Sequence, residues 1–179
     1  MIILFLYLTF LFQDMDEITE KLYLGNISSA ENIDKIKNLG IKKVLSLIEE
    51  LLWPVYKESD NIIHKKFTIY DFEQQNIIKY FGECLNFIKG DDKVLVHCAV
   101  GASRSATIVI AYIMWSKKMP FKEALEFVRN KRFVVSPNFG FIDQLKLFEK
   151  LLVENNYDID KIKFEEIKWE PKAHYDFDI

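Results

Sequence analysis

From Lys93 to Trp115 the chain reads KVLVHCAVGASRSATIVIAYIMW, and this stretch limits the folds open to it most sharply. Val94–Val96 is a short apolar run, suited to a buried strand. Ser105–Trp115 is apolar almost all round, which marks a helix enclosed by other elements; a membrane span would need about 20 residues. Only a tight loop separates the two. A buried strand feeding a buried helix in this way belongs to an α/β protein with its sheet in the middle.

The rest of the sequence supplies the other layers. Lys21–Gly25, Ile41–Ile48 and Ile62–Tyr70 read as further strands. Ser28 and Ser29 are placed to cap a helix over Ala30–Leu39, with Ile33, Ile36 and Leu39 on one face and Gly40 as its stop. Asn76–Lys89 is an amphipathic helix closed by Gly90, Pro120 opens a helix over Phe121–Arg129, and Phe141–Leu152 is the last helix of the core. The expected architecture has three layers, a central and mostly parallel sheet flanked by helices. At 179 residues this is one domain with tails. No repeat or linker divides it. Its expected extent is 15–153, between an apolar extension over 1–14 and an acidic one over 154–179.

Residues 1–12 carry no charge, but they are too few to span a bilayer, and no basic residue precedes them as in a signal peptide. An arm packed on the domain and an upstream start before Met15 are the two main readings, with membrane contact not expected. The stretch 154–179 holds eight acids against four lysines, inside a total net charge of −3, and reads as a solvated extension. A pI near 5.7 argues against a nucleic-acid binder, which needs a basic face. Two cysteines build no disulfide framework, and no Cys/His set has zinc spacing. A reducing compartment, cytoplasm or nucleus, is the simplest expectation.

The chemistry is expected in the loop His97-Cys98-Ala99-Val100-Gly101-Ala102-Ser103-Arg104-Ser105. A loop between a strand and a helix N-terminus turns backbone N–H groups inward and makes an anion site. Gly101 lets the backbone approach closely, and Arg104 offers a planar fork for two phosphate oxygens. Ala99, Val100, Gly101, Ala102, Ser103 and Arg104 would line the phosphate. Cys98 sits inside that positive cup, where helix dipole, amides and Arg104 favour the thiolate nucleophile. An inert buried thiol is the plain alternative. A Cys and an Arg five residues apart say little. The full string, with His before Cys, Gly third after it and Ser on both sides of Arg, is specific. Cleaving a phosphate ester also needs a proton donor for the leaving oxygen. Asp71, at the end of a strand where site residues of such sheets gather, is the candidate, with Glu73 in reserve and a plain loop cap as the alternative. Asp91 and Asp92 stand at the far end of the Cys98 strand.

The string HCAVGASRSATIVIAYIM resembles the signature of dual-specificity protein phosphatases, within the cysteine-dependent protein tyrosine phosphatase superfamily. The likeness covers about residues 20–152, including LYLGNISSA, IYDF, and Arg132 with Ser136-Pro137-Asn138-Phe139-Gly140-Phe141 and Gln144-Leu145. The chain is similar to the atypical members, with no room for a kinase-docking domain before the catalytic one. The Gly-Arg-Thr-Gly or Asn-Arg-Thr-Gly pattern of tyrosine-specific and phosphoinositide or RNA-directed relatives is absent.

The resemblance implies metal-independent hydrolysis of phosphotyrosine and phosphoserine/threonine through a phosphocysteine, with no cofactor, on phosphoprotein substrates, kinases among them. It implies Asp71 as acid and then base. Ser105 would donate to the Cys98 sulfur as it leaves, unless it is the N-cap of the helix. His97 would order the loop by hydrogen bonds, and Asn138 would hold it from behind, unless it is a turn residue. Cys84 reads as a core thiol, although some relatives protect the oxidised nucleophile with a second cysteine. Two other classes stay open: a phosphatase of a glucan or lipid phosphate, and a phospho-binding module with little turnover.

Overall fold

The computed structural model describes residues 14–170. The apolar stretch 1–12, with every reading attached to it, lies outside the described residues, as do 171–179 of the acidic tail. Among the described residues no helix is long and apolar enough to cross a membrane.

Five strands form one sheet: β1 (Met15–Thr19), β2 (Leu22–Gly25), β3 (Ile41–Leu47), β4 (Ile63–Phe67) and β5 (Lys93–His97), in the order β1-β2-β5-β3-β4. β2, β5, β3 and β4 run parallel, and β1 adds an antiparallel edge. Alternation sorts the strand side chains to two faces. Leu22, Leu24, Leu45, Leu47, Val94 and Val96 point to one face, and Tyr23, Val44 and Leu95 to the other. The second face is covered by two short helices, α1 (Ile27–Glu31) and α2 (Ile33–Asn38). The first is covered by α3 (Phe81–Ile88), α4 (Arg104–Ser116), α5 (Phe121–Lys131) and α6 (Phe139–Glu154). α4 is the middle member of this group, which is why residues from Arg104 to Ala111 are all buried.

The three-layer α/β expectation is met, with four local departures. The single helix read over 30–39 is two: Asn26 caps α1 by accepting from Ser29 N at 3.0 Å, and Asn32 caps α2 by accepting from Lys35 N at 3.0 Å. Asn side chains win this competition because they satisfy the free N–H groups of a first turn. The strand read over 62–70 stops at Phe67; Ile69 turns inward and its carbonyl is taken by Arg104 instead of a neighbouring strand. The helix read over 76–89 starts as a 3-10 turn at Ile78–Tyr80, where Gln144 Oε1 accepts from both Ile77 N and Ile78 N. β1 is an element the sequence pattern conceals, because a register shift between Glu17 and Thr19 breaks its alternation.

The acidic C-terminal stretch is not simply solvated. Ile159, Ile162 and Phe164 are buried in the main core, and the Phe164 ring lies 5.9 Å from that of Phe148. The charges occupy the outward positions between these apolar residues, which gives a composition of solvated chain to a segment that packs.

Candidate active site

The C-terminal ends of the four parallel strands meet at one edge of the sheet, and the loop after the inner strand β5 is the centre of the site. The carbonyl of every residue from Cys98 to Ser103 has a partner outside the cup. Cys98 O receives His97 Nδ1 at 3.3 Å, and Ala99 O receives Ile27 N at 3.2 Å. Val100 O and Gly101 O receive Arg132 Nη2 and Nε at 3.0 and 2.9 Å. Ala102 O receives Ser136 N, and Ser103 O receives both Thr107 N and Thr107 Oγ1, each at 2.8 Å. Because C=O and N–H of a peptide unit point opposite ways, carbonyls drawn outward leave amides facing inward. Gly101 is required at its place: φ is +76°, and a Cβ there would collide with the Gly25 backbone.

Cys98 is buried and its Sγ already accepts from Gly101 N at 3.2 Å and Ser105 Oγ at 3.1 Å. α4 begins at Arg104 and its N-cap is Ser103, so Ser105 is inside the first turn and not the cap. Its hydroxyl is spent on the sulfur.

Arg104 is 6% exposed. Its Nη1 donates to Glu49 Oε2 at 2.9 Å and Ile69 O at 3.0 Å. Its Nε is buried with no hydrogen-bond partner and lies 3.7 Å from Asp71 Oδ2. A guanidinium anchored at one corner and unsatisfied along another edge is arranged to receive oxygen ligands. Burial pushes the Glu49 carboxyl up, but its own backbone N–H and Arg104 outweigh that and hold it below its ordinary value.

Asp71 comes to the same place from the loop after β4. Its Oδ1 accepts from Ser103 Oγ at 2.7 Å and Asn138 Nδ2 at 2.8 Å, which leaves Oδ2 as the oxygen able to carry a proton. Asn138 also donates its N–H to Ser103 Oγ at 3.2 Å and caps α6 by accepting from Phe141 N at 2.9 Å. It therefore joins the loop, through Ser103, to Asp71 and to the first turn of α6. Arg132, which holds the Val100 and Gly101 carbonyls, is itself anchored to Asp16 by Nη1 at 2.6 Å. Glu73, the reserve acid, has its backbone carbonyl bonded to Trp169 Nε1 at 3.2 Å.

His97 is fully buried under the loop. Its Nε2 is 2.5 Å from Ser46 Oγ, which is 2.7 Å from His64 Nε2. If His97 Nδ1 donates to Cys98 O, its Nε2 must accept from the Ser46 hydroxyl, and His64 Nε2–H must then donate to Ser46. Burial, opposed by the Cys98 carbonyl and helped by Arg104, pushes the His97 imidazole down to about 4. Burial also pushes His64 down to about 4. A histidine held neutral in the fold but free to charge when unfolded removes stability as pH falls through its unfolded pKa near 6.5. His97 alone is expected to cost about 3 kcal/mol between pH 6.5 and 4. His64, only partly buried, adds less. Denaturant unfolding of wild type and His97→Asn across this range should show a steeper acid loss in wild type; parallel curves would contradict a neutral buried imidazole.

Cys84 lies on α3 in the main core, and burial pushes its thiol up. Both cysteines are free. Glu49 and the Ser46–His64 pair are the site residues that sequence reasoning missed, and Arg132 was read there only as part of the resemblance, without a role. Glu49 carried one usable signal, its position directly after the strand read over Ile41–Ile48, but Glu50 beside it carries the same signal.

One edge of the sheet thus gathers a thiol, a loop with inward-facing amides, a guanidinium and a carboxylate. Residues 22–151 match the dual specificity phosphatase, catalytic domain family, and the chain belongs to that family of protein-tyrosine/serine/threonine phosphatases. It is 38% identical over 147 residues to dual specificity protein phosphatase 1B of Arabidopsis thaliana, covering 80% of this chain and 86% of that protein. It is 40% identical over 137 residues to dual specificity protein phosphatase 1 of the same plant, covering 74% and 68%. Among solved structures it resembles human tyrosine phosphatase-like serine/threonine/tyrosine-interacting protein, with a TM-score of 0.73, 33% identity, and 78% and 97% of the two chains covered.

Proposed function

We propose that Cys98, Asp71 and Arg104 carry a metal-independent, two-step phosphoryl transfer on phosphoproteins of the cytoplasm or nucleus, kinases among them. The observation that carries this is the loop in which every carbonyl from 98 to 103 is bonded outward while Cys98 sits at its start. The loop amides and the Arg104 guanidinium hold the three phosphate oxygens. Cys98 Sγ attacks phosphorus, the bond to the ester oxygen breaks, and the proton on Asp71 goes to that leaving oxygen. Water then attacks phosphorus and gives a proton to Asp71. The S–P bond breaks, Ser105 and Gly101 N–H stabilise the departing sulfur, and inorganic phosphate leaves. Charge spread over the equatorial oxygens is stabilised by groups already in place.

The rim supports monophosphorylated protein segments with apolar or basic neighbours. Tyr70 and Phe72 flank Asp71 with rings stacked at 6.0 Å, and Phe72, Val100 and Phe139 are more than half exposed. The segments 49–53, 69–76, 98–104 and 136–140 contain Glu49, Glu50, Asp71 and Glu73, and buried Arg104 as their one basic residue. Such a rim repels acidic flanks and accepts apolar ones.

The test is hydrolysis of a series of aryl phosphates and of phosphotyrosine and phosphoserine peptides in EDTA and reductant. Wild type should turn over. Asp71→Asn should lose on the order of 10²–10⁴ in kcat on esters with poor leaving groups, and much less on nitrophenyl-type esters. An inert wild type that still binds phosphopeptide would replace the enzyme with a phospho-reader, and activity confined to glucan or lipid phosphates would overturn the protein substrate.

A further inference from the structure

Resting on Asp71 as the general acid, we propose that residues 157–169, beyond the matched 22–151, form a strap that positions the Asp71 loop, with Trp169 as its positioning residue. The strap starts where α6 ends. Asn156 and Tyr157 take φ of 53° and 61°, Tyr157 N bonds back to Leu152 O at 2.7 Å, and Trp115 Nε1 of α4 donates to Tyr157 O at 3.0 Å. Ile159, Ile162 and Phe164 then anchor it in the core. Phe164 lies over Gly82 of α3, where an added Cβ would meet the ring at 2.7 Å, so this crossing is tight.

The far end of the strap meets the loop that carries the acid. Asn76 Nδ2 donates to Ile167 O at 2.7 Å, and Trp169 Nε1 donates to Glu73 O at 3.2 Å. Residues 68–76 have no sheet or helix ladder of their own. Their position rests on such contacts: Gln144 Nε2 to Gln75 O at 2.9 Å, Gln75 N to Phe72 O at 3.0 Å, and Gly140 packed against the Glu73 backbone. The Glu73 carbonyl is thus met by both Gly140 and Trp169, two residues from Asp71. Small errors in the placement of a reacting group cost rate steeply, so a lost bond here is expressed through proton donation.

The experiment uses the full chain, with Trp169→Phe, which keeps a ring but loses the N–H, and Trp169→Ala. Each is measured on aryl phosphates of graded leaving-group pKa, alone and combined with Asp71→Asn. Trp169→Phe should lower kcat on poor leaving groups by about 3- to 10-fold, and Trp169→Ala by at least as much. Good leaving groups and KM should change little. In the double variant the Trp169 effect should vanish, because the acid it positions is gone. Equal losses across all leaving groups, or losses that multiply with Asp71→Asn, would overturn the strap. Absence of leaving-group dependence in Asp71→Asn itself would instead overturn Asp71 as acid, so the two failures are distinguishable.

Discussion

Cys98→Ser is expected to lower kcat by on the order of 10⁴-fold or more while leaving the fold and phosphopeptide binding in place. The substitution keeps the size of the side chain and an acceptor for Gly101 N and Ser105 Oγ, which now bond the sulfur at 3.2 and 3.1 Å. The outward carbonyl bonds of residues 98–103 do not involve the thiol, so the amide cup survives. What is lost is the nucleophile: a serine hydroxyl in the same cup stays protonated, and His97 cannot serve as its base, since its ring nitrogens face Ser46 and the Cys98 carbonyl. The variant should bind a phosphopeptide with a Kd within a few-fold of wild type, read by calorimetry or fluorescence anisotropy. Residual turnover within tenfold of wild type would remove Cys98 from the chemistry.

Arg104→Lys is the second large effect. The charge remains, but the fork does not. Arg104 Nη1 is occupied by Glu49 and Ile69 O, which leaves Nε and Nη2 for substrate oxygens. A lysine ammonium is a single point that cannot satisfy the anchor and bind two phosphate oxygens together. It also leaves the buried Ile69 carbonyl short of a partner. Loss in kcat/KM of on the order of 10³-fold is expected, with competitive inhibition by inorganic phosphate weakened in parallel. A loss below tenfold would mean that the loop amides alone hold the phosphate.

The loop 97–105 was legible in the sequence because its residues act on one another at short range, and strand, glycine and helix are contiguous there. Asp71 was legible because it follows a strand that ends at the correct edge, although that strand stops at Phe67 and a loop covers the remaining distance. Glu49 and Arg132 were not, since each acts on the loop from a separate element: Glu49 lies 55 residues before Arg104, and Arg132 lies 31 residues after Gly101. A lone charge after a strand or helix does not say which neighbour it will meet. Asn138 was placed at the loop, but its bond to Asp71, 67 residues earlier in the chain, was not legible, because the two meet only in the folded protein. The tail misled by composition. Ile159, Ile162 and Phe164 are too irregularly spaced to show a period, and the acids between them dominate the count.

Rapid acid quench of a single turnover, followed by mass mapping of the peptides, tests the central claim most directly. A phosphoryl group on the peptide that contains Cys98, formed and lost at rates that account for kcat in the presence of EDTA, is the expected result. Sustained turnover with no phosphoryl group on that peptide, or turnover that stops when EDTA removes metal, would contradict the phosphocysteine mechanism.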